Sequence, residues 1–160
     1  MRILATAYSH VYRAVKLSTG YNLPGLGFVL RRIDRPFAFH MNGATLWFEP
    51  TLAENYGVML TGYPSEPETH MFFEKLLALA PGLTVVDVGA NVGEMAVPWG
   101  QKVPVIAFEP FAQCARVIRH AAALSLAKVD VREMALHSES GYGEMAGKNE
   151  YRSSVVLGEG

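Results

Sequence analysis

The sequence predicts an α/β fold in which a parallel sheet is flanked by helices. Three observations support this prediction. Two short apolar runs with β-branched residues, 83–88 and 103–108, are typical of strands buried on both faces. A third run covers 128–135, and helical patterns separate the three. Strands that alternate with helices over about fifty residues require right-handed crossovers, which make the strands parallel.

Composition and charge disfavour several classes of protein. The chain has 160 residues, half of them apolar, which suits one globular domain rather than a disordered chain. A net charge of −1 argues against nucleic acid as a partner. Cys114 is the single cysteine, so there is no disulfide framework and no Cys-rich zinc site, and we predict no bound metal. Since no run approaches the roughly 20 apolar residues of a membrane span, we expect a cytoplasmic protein.

The N-terminal segment differs in charge from the rest of the chain. Residues 1–35 carry six basic side chains against Asp34 alone, a charge of +5. Four apolar side chains recur there at helical spacing: Leu4, Tyr8, Val11 and Val15. A basic amphipathic helix of this kind can contact an anionic membrane surface or a partner. Packing of the helix on its own domain is the alternative, and it is the one we favour.

A β-hairpin is predicted after this helix. Asn42-Gly43 lies between two apolar runs, 37–41 and 44–48, and this dipeptide is a strong hairpin signal. A short helix is expected over 51–60. We therefore take 1–60 as an N-terminal extension made of a helix and a hairpin.

The second part of the chain, 61–160, opens with a helix. Ser65 and Glu68 have the spacing of a capping box, and Pro67 is tolerated in the first turn. Pro81-Gly82 ends the helix. Its predicted core-facing stripe consists of Phe72, Phe73, Leu76, Leu77 and Ala80.

Two more helices are expected between the strands, over 92–100 and 111–126. Pro98 removes a helical hydrogen bond, so the first of them should be short or kinked. The turn-rich tail of the chain predicts a terminal hairpin. The inner face of the second helix is apolar: Phe111, Cys114, Ala115, Ile118 and Ala122.

The most informative segment is the turn after the first parallel strand, Val-Val-Asp-Val-Gly-Ala-Asn-Val-Gly-Glu at 85–94. Ligands of open α/β sheets bind at the carboxyl ends of the strands. Gly89 lets the backbone approach a ligand, and Gly93 lets the helix start lie close to the strand. Asn91 tolerates a positive φ and, with Glu94 three residues later, predicts a capping box. The helix N-terminus would then offer N–H groups to an anion.

An acidic residue ends the second strand. Glu109 lies twenty residues beyond Gly89, a position from which a carboxylate accepts hydrogen bonds from both hydroxyls of a ribose. Pro110 and Phe111 follow it and would form a wall against a purine. Backbone groups near Met134, at the end of the third strand, would face the purine edge.

Two adenosine cofactors fit this layout. The NAD(P) fingerprint has glycine at its first, third and sixth positions, which here are Gly89, Asn91 and Glu94, so one of three matches. An acidic residue followed by x-Gly-x-x-x-Gly, as at Asp87, Gly89 and Gly93, is instead the pattern of class I S-adenosylmethionine methyltransferases. A nicotinamide-dependent oxidoreductase is therefore the less favoured alternative.

The chain also resembles a narrower group. The turn at 85–94, followed by Ala-Phe-Glu-Pro at 107–110, is similar to the FkbM family of methyltransferases. Tyr-Pro-Ser-Glu-Pro-Glu at 63–68 and Glu-Met-Ala-Leu at 133–136 are compatible with it. The resemblance covers 60–155 and implies a Rossmann-like class I methyltransferase fold.

The resemblance implies methyl transfer from S-adenosylmethionine to a hydroxyl oxygen of a sugar, glycolipid or polyketide-like acceptor. It assigns the cofactor's ammonium to Asp87, the ribose to Glu109, and the adenine to Pro110 and Met134. No catalytic base follows from the motif, although His137, after the third strand, is a candidate. The turn residues that would hold the methionine moiety are Gly89, Ala90, Asn91 and Gly93.

The sequence departs from the family near its end. Nothing in 136–160 matches the Lys-x-Asp-x-Glu-Gly segment that the family carries beside its substrate site. We therefore expect a C-terminally incomplete sheet whose first strand, 83–88, has an unpaired edge. Such an edge predicts self-association. It also supports the alternative of a non-enzymatic fragment that binds cofactor weakly or depends on a partner.

Overall fold

The computed structural model describes residues 11, 12, 14, 15, 18–21, 32–56, 66–80, 82–141, 143–146 and 154–157. The backbone at 11, 12, 14, 15, 18 and 19 is helical, in agreement with the predicted N-terminal helix, whose residues Leu4 and Tyr8 lie outside the described part. Tyr12 is buried and Val11 is 57% exposed. The predicted apolar face is therefore wrong at Val11. Adjacent side chains of a helix point about 100° apart, so Val11 faces away from the side on which Tyr12 is buried.

The predicted hairpin is confirmed. Strands β1 (Phe37–Met41) and β2 (Ala44–Phe48) pair in antiparallel fashion. Asn42 and Gly43 have φ of 49° and 79°, as a two-residue turn of the I′ type requires. A 3₁₀ helix, Pro50–Asn55, follows and overlaps the short helix predicted there.

Helix α1 (Pro67–Leu79) begins the second part of the chain. Its N-cap is Glu66, without a side-chain capping bond, rather than the predicted Ser65, which lies outside the described residues together with 57–60. The helix starts at Pro67 because the ring already fixes φ at a helical value and the first turn needs no N–H from that residue.

Helix α1 packs through fewer residues than predicted. Phe73 is buried and stacks on Trp99 with 4.2 Å between the ring centroids. Phe72, in contrast, is 66% exposed, so the predicted core-facing stripe is wrong at this position. The contacts of α1 lie on another side of the helix: Leu77 packs partly buried against the core, and Glu74 forms an ion pair with Lys102.

The predicted parallel α/β sheet is confirmed. Its strands lie in chain order and are β3 (Val85–Val88), β4 (Val105–Phe108) and β5 (Val129–Arg132). The connections are α2 (Ala96–Gly100) and α3 (Ala112–Ser125). Each strand and helix is shorter than predicted. Helix α2, which contains Pro98, has only 5 residues, in agreement with the prediction of a short helix there.

The two helices cover only one face of this sheet. Right-handed connections between strands that are added in one direction place successive helices on the same side. On the covered face, Val105 and Ala107 are buried. On the opposite face, Val86 and Val88 are 55% and 60% exposed, so the predicted burial of the first strand on both faces is wrong. Among the described strands, β3 pairs with β4 alone, which leaves its other edge open as predicted.

The hydrophobic core joins the extension to the sheet. Helix α3 contacts β2 on one side and β5 on the other. Ser125, at the end of α3, exchanges two hydrogen bonds of 2.8 Å with the backbone of Thr45. The predicted inner face of α3 is confirmed at Cys114, Ala115, Ile118 and Ala122. Buried residues on both sides of position 60 belong to one cluster, including Leu46, Phe48, Leu52, Tyr56, Val97 and Val105.

A second antiparallel pair lies near the end of the chain. Strands β6 (Gly143–Ala146) and β7 (Ser154–Leu157) confirm the predicted terminal hairpin. Within the described ranges, no helix has both the length and the apolar character needed to cross a bilayer.

Leu126 ends α3 in a conformation that glycine adopts more easily. It has φ of 52° and ψ of 35°, and its side chain is 89% exposed. This left-handed conformation costs an L-residue roughly 1–2 kcal/mol. We expect Leu126→Gly to raise the free energy of unfolding by about 1 kcal/mol in urea denaturation. Leu126→Ala keeps the strain and should match wild type. Equal stability of the glycine variant and wild type would contradict this account.

Candidate functional site

The glycine turn joins β3 to α2 through three residues with positive φ. Gly89, Asn91 and Gly93 have φ of 80°, 50° and 85°. The predicted tolerance of Asn91 for this conformation is confirmed. Asparagine adopts a positive φ more readily than most residues with a Cβ, and the contacts around Asn91 stabilise it in this conformation.

Three backbone N–H groups of the turn are bonded within the protein. Those of Gly89 and Ala90 both donate to the carbonyl oxygen of Phe108, at 2.9 and 3.1 Å. That of Asn91 donates to Glu109 Oε2 at 2.8 Å. The N–H groups of 89–91 therefore bond to oxygens of the protein itself, one of them the Glu109 carboxylate.

Helix α2 also starts later than predicted. It begins at Ala96, with Met95 as N-cap, and not at 92. The positive φ of Gly93 is incompatible with a helix that starts before it. The predicted capping box of Asn91 and Glu94 is wrong because the Asn91 side chain bonds to the segment after the hairpin instead.

The two glycines of the turn have different surroundings. A Cβ at Gly89 would have no atom within 4 Å, so this side of the turn is open, as close approach of a ligand requires. A Cβ at Gly93 would lie 3.0 Å from Val97 Cγ2 and 3.3 Å from Ile118 Cγ1. Gly93 therefore lets the turn pack on α2 and α3, and Ala90 is buried beside it.

Glu109 is a buried carboxylate at the end of β4. It is 5% exposed. Its Oε2 accepts the N–H of Asn91 and its Oε1 accepts the N–H of Phe111, each at 2.8 Å. Both bonds involve a charged acceptor, which makes them stronger than bonds between neutral groups.

Asp87 adds a second carboxylate, on the covered face of β3. Its Oδ2 is buried without a hydrogen-bond partner. Burial raises the pKa of Asp87 to about 6, and the neighbouring charge of Glu109 adds to the rise. A hydrogen bond from the N–H of Ala96 lowers the pKa of Asp87, and the charge of Glu66 raises it by a smaller amount. Since both charged side chains that act on Asp87 are acidic, this end of the sheet is suited to a cationic group.

The remaining predicted residues follow the neighbouring strand ends. Pro110 comes directly after Glu109 and is partly buried. Strand β5 ends at Arg132 rather than at the predicted 135, because the N–H of Met134 turns back to the carbonyl oxygen of Arg132 at 3.0 Å. Met134 itself is 51% exposed. Hydrogen bonds thus bring Asn91 and Glu109 together, and Pro110 and Met134 flank that edge of the sheet.

His137, the candidate base, lies in the exposed segment after β5. Its Nδ1 accepts the N–H of Glu139 at 3.2 Å. In the part of the chain that the structure describes, no group of three or more His, Cys, Asp or Glu side chains gathers around a point where a metal could bind.

One residue of the site has no counterpart in the sequence predictions. Asn55, the last residue of the 3₁₀ helix, is buried and donates from Nδ2 to Asn91 Oδ1 at 2.6 Å. The two asparagines are 36 residues apart. No motif surrounds Asn55, so only the tertiary structure brings it to the turn.

A groove of about 740 Å³ lies between β2 and α3. Trp47 and Glu49 line it from the hairpin, and Arg116 and His120 line it from the helix. None of the predicted cofactor residues borders this groove, so it is separate from the glycine turn.

Comparison of the chain with protein-family models and with curated proteins gives no match. Its functional assignment therefore rests on the geometry described above.

Asp87 makes a prediction about pH. Its pKa is about 6 in the folded protein and near 3.8 in the unfolded chain. Between these values the folded state binds more protons, so the free energy of unfolding falls as pH rises, and the loss is complete above the folded pKa. We expect Asp87→Asn to become more stable relative to wild type from about pH 4 to about pH 7, by up to about 3 kcal/mol.

Urea denaturation at several pH values measures this difference. Asp130→Asn is a matched control, because it makes the same substitution at an exposed aspartate of a neighbouring strand, β5. If the free energies of unfolding of Asp87→Asn and wild type differ by the same amount at every pH, the raised pKa of Asp87 is wrong.

Proposed function

We propose that this chain carries the cofactor-binding part of an S-adenosylmethionine-dependent methyltransferase of the FkbM kind, with a class I fold. The acceptor would be a hydroxyl oxygen of a sugar, glycolipid or polyketide-like molecule. A parallel sheet with helices between its strands and a glycine turn after β3 support the proposal. The class of acceptor comes from the resemblance alone.

The observation that carries the proposal is the buried, unpartnered oxygen of Asp87. It lies at the carboxyl end of β3, just before the open side of Gly89. A buried carboxylate oxygen without a hydrogen bond is costly unless a ligand supplies one. S-adenosylmethionine carries an ammonium and a sulfonium, so its positive charge complements the two carboxylates, Asp87 and Glu109.

The other predicted residues take roles that agree with their positions. Glu109 would accept hydrogen bonds from the ribose hydroxyls, in addition to the two backbone bonds that fix it. The backbone of Gly89, Ala90 and Asn91 would line the methionine moiety, while Gly93 keeps the turn packed on α3. The adenine would lie between two flanking apolar residues, Pro110 and Met134.

The same geometry argues against a dinucleotide cofactor. NAD(P) places its pyrophosphate on free N–H groups at a helix N-terminus. Here the N–H groups of Gly89, Ala90 and Asn91 donate to protein oxygens, and α2 begins only at Ala96. Two nearby carboxylates would also repel a pyrophosphate. The nicotinamide-dependent alternative is therefore disfavoured by hydrogen bonding and by charge.

When bound, S-adenosylmethionine supplies a methyl carbon to which an acceptor oxygen can bond, as the carbon–sulfur bond breaks and its electron pair stays on sulfur. The residues described here bind and orient the cofactor. Asp87 would fix the ammonium and Glu109 the ribose, which sets the direction of the methyl group. The hydroxyl proton must pass to a base, and we assign that role to no residue.

Gly89→Val tests where the cofactor binds. The valine side chain would project into the open side of the turn, so S-adenosylhomocysteine should no longer bind in isothermal titration calorimetry. Gly82→Val is a matched control, because Gly82 also has a positive φ of 92° and open space around its Cβ position, but lies before β3. Both variants should lose similar stability from backbone strain. Binding of S-adenosylhomocysteine by Gly89→Val, or of NADH by wild type, would contradict the proposed function.

We further propose that the chain associates with itself through the open side of β3. Val86 and Val88 expose apolar surface next to an edge that pairs with no other described strand. Exposed apolar surface and unpaired edges both promote contact between chains. The same surface supports the alternative in which the chain acts only together with a partner.

Val86→Lys should reduce this association, because it places a charge on the open face. Light scattering after size-exclusion chromatography, over a series of concentrations, measures the mass. Leu124→Lys is the control, since Leu124 is an exposed apolar residue on α3 and is 45% exposed. A wild-type protein that remains monomeric at every concentration would rule out the proposed contact.

A further inference from the structure

Three polar side chains meet beneath the glycine turn. Asn55 Nδ2 donates to Asn91 Oδ1 at 2.6 Å and lies 3.7 Å from Cys114 Sγ. Cys114 Sγ also lies 3.7 Å from Asn91 Oδ1. The three residues come from the 3₁₀ helix, the turn and the first turn of α3. Since Asn55 and Cys114 are 1% and 0% exposed, this contact is closed to bulk water.

Asn91 connects this contact to Glu109. Its side chain is held by Asn55, and its backbone N–H donates to Glu109 Oε2. Its φ of 50° lies in the left-handed region, which asparagine tolerates better than most L-residues, and these two hydrogen bonds hold the residue there. A continuous series of hydrogen bonds thus leads from Asn55 through Asn91 and Glu109 to the N–H of Phe111.

We propose that Asn55 is a positioning residue of the cofactor site. It holds Asn91 in the conformation that keeps the turn bonded to the Glu109 carboxylate, and so keeps that carboxylate ready for the ribose. The segment 33–56 would then contribute to the site itself and not only to the core. This inference rests on the proposed function, because the position of Glu109 matters for the cofactor only if the ribose binds there.

A purely structural role of Asn55 makes a different prediction. The hairpin also contacts α3 at a separate place, through the pair of hydrogen bonds between Ser125 and Thr45. Ser125→Ala removes that contact and leaves the bond between Asn55 and Asn91 in place. If Asn55 served only to dock the hairpin, Ser125→Ala and Asn55→Ala would have the same consequences for the turn.

Two measurements separate these possibilities. The first is the affinity for S-adenosylhomocysteine by calorimetry. The second needs no cofactor: it is the rate at which iodoacetamide alkylates Cys114 in the folded protein. Cys114 is the single cysteine and is fully buried, so the reagent reaches it only when the elements packed on it move away, and the turn and the 3₁₀ helix are among these.

We expect Asn55→Ala to weaken binding of S-adenosylhomocysteine about tenfold and to speed alkylation of Cys114 about tenfold, as loss of one buried hydrogen bond implies. Ser125→Ala should change neither quantity by more than about twofold, because its site is separate from the turn. Thermal melting of each variant establishes that it is folded.

A double-mutant cycle tests whether Asn55 acts through Asn91. Asn91→Gly removes the acceptor side chain and tolerates the positive φ. Asn42→Gly is its matched control, because Asn42 also has a positive φ of 49° and its side chain bonds elsewhere, to His70. In the Asn91→Gly background, Asn55→Ala should cause no further loss of affinity for S-adenosylhomocysteine.

Three results would overturn the inference. The first is an unchanged alkylation rate of Cys114 in Asn55→Ala. The second is an equal loss of affinity from Asn55→Ala with and without Asn91→Gly. The third is that Ser125→Ala changes affinity and alkylation rate as much as Asn55→Ala does. If Asn55→Ala does not fold, a Cys114 rate in Asn91→Gly no faster than in Asn42→Gly would overturn it. If the wild-type protein does not bind S-adenosylhomocysteine, the proposed function is wrong. The alkylation rates of Cys114 need no cofactor, so they test the positioning role separately.

Discussion

The buried carboxylate of Glu109 fixes the geometry of the site. By accepting the N–H groups of Asn91 and Phe111, each at 2.8 Å, one side chain ties the turn after β3 to the start of α3. Taking a carboxylate out of water is costly, and these charge-assisted bonds offset the cost. Asn55 donates a hydrogen bond to Asn91 of the turn, and Asp87 places a second carboxylate near Glu109. The site therefore combines one carboxylate that two backbone N–H groups hold in place with one that has a buried oxygen without a hydrogen-bond partner.

The strand order explains why the N-terminal extension becomes part of this arrangement. Because β3, β4 and β5 follow one another in one direction, α2 and α3 cover a single face of the sheet. The hairpin then packs on the outer side of α3, and the 3₁₀ helix that follows it reaches the glycine turn. The opposite face, with Val86 and Val88, stays open. One constraint of topology thus explains both the packing of the N-terminal extension beside the glycine turn and the exposed apolar surface on the opposite face.

Local patterns predicted much of this fold, and tertiary contacts decided the rest. The Asn42-Gly43 turn, the three strands and the inner face of α3 depend on neighbouring residues, so the sequence was sufficient to predict them. The exposure of Phe72 and Val86 depends on which faces are covered, which periodicity does not reveal. In the site, the motif predicted the conformation of Asn91. It did not predict Asn55, which lies 36 residues away and has no motif of its own.

We propose that the unpartnered oxygen of Asp87 binds the ammonium group of S-adenosylmethionine. Carbon NMR of labelled aspartate side chains measures the pKa of Asp87 directly, without ligand, with S-adenosylhomocysteine, and with adenosine. We expect a pKa of about 6 in the free protein, as burial and Glu109 dictate. S-adenosylhomocysteine should lower this pKa because its ammonium stabilises the charged carboxylate, whereas adenosine, which lacks the ammonium, should leave it unchanged. A pKa of Asp87 that is the same in all three samples, with ligand bound, would contradict the account.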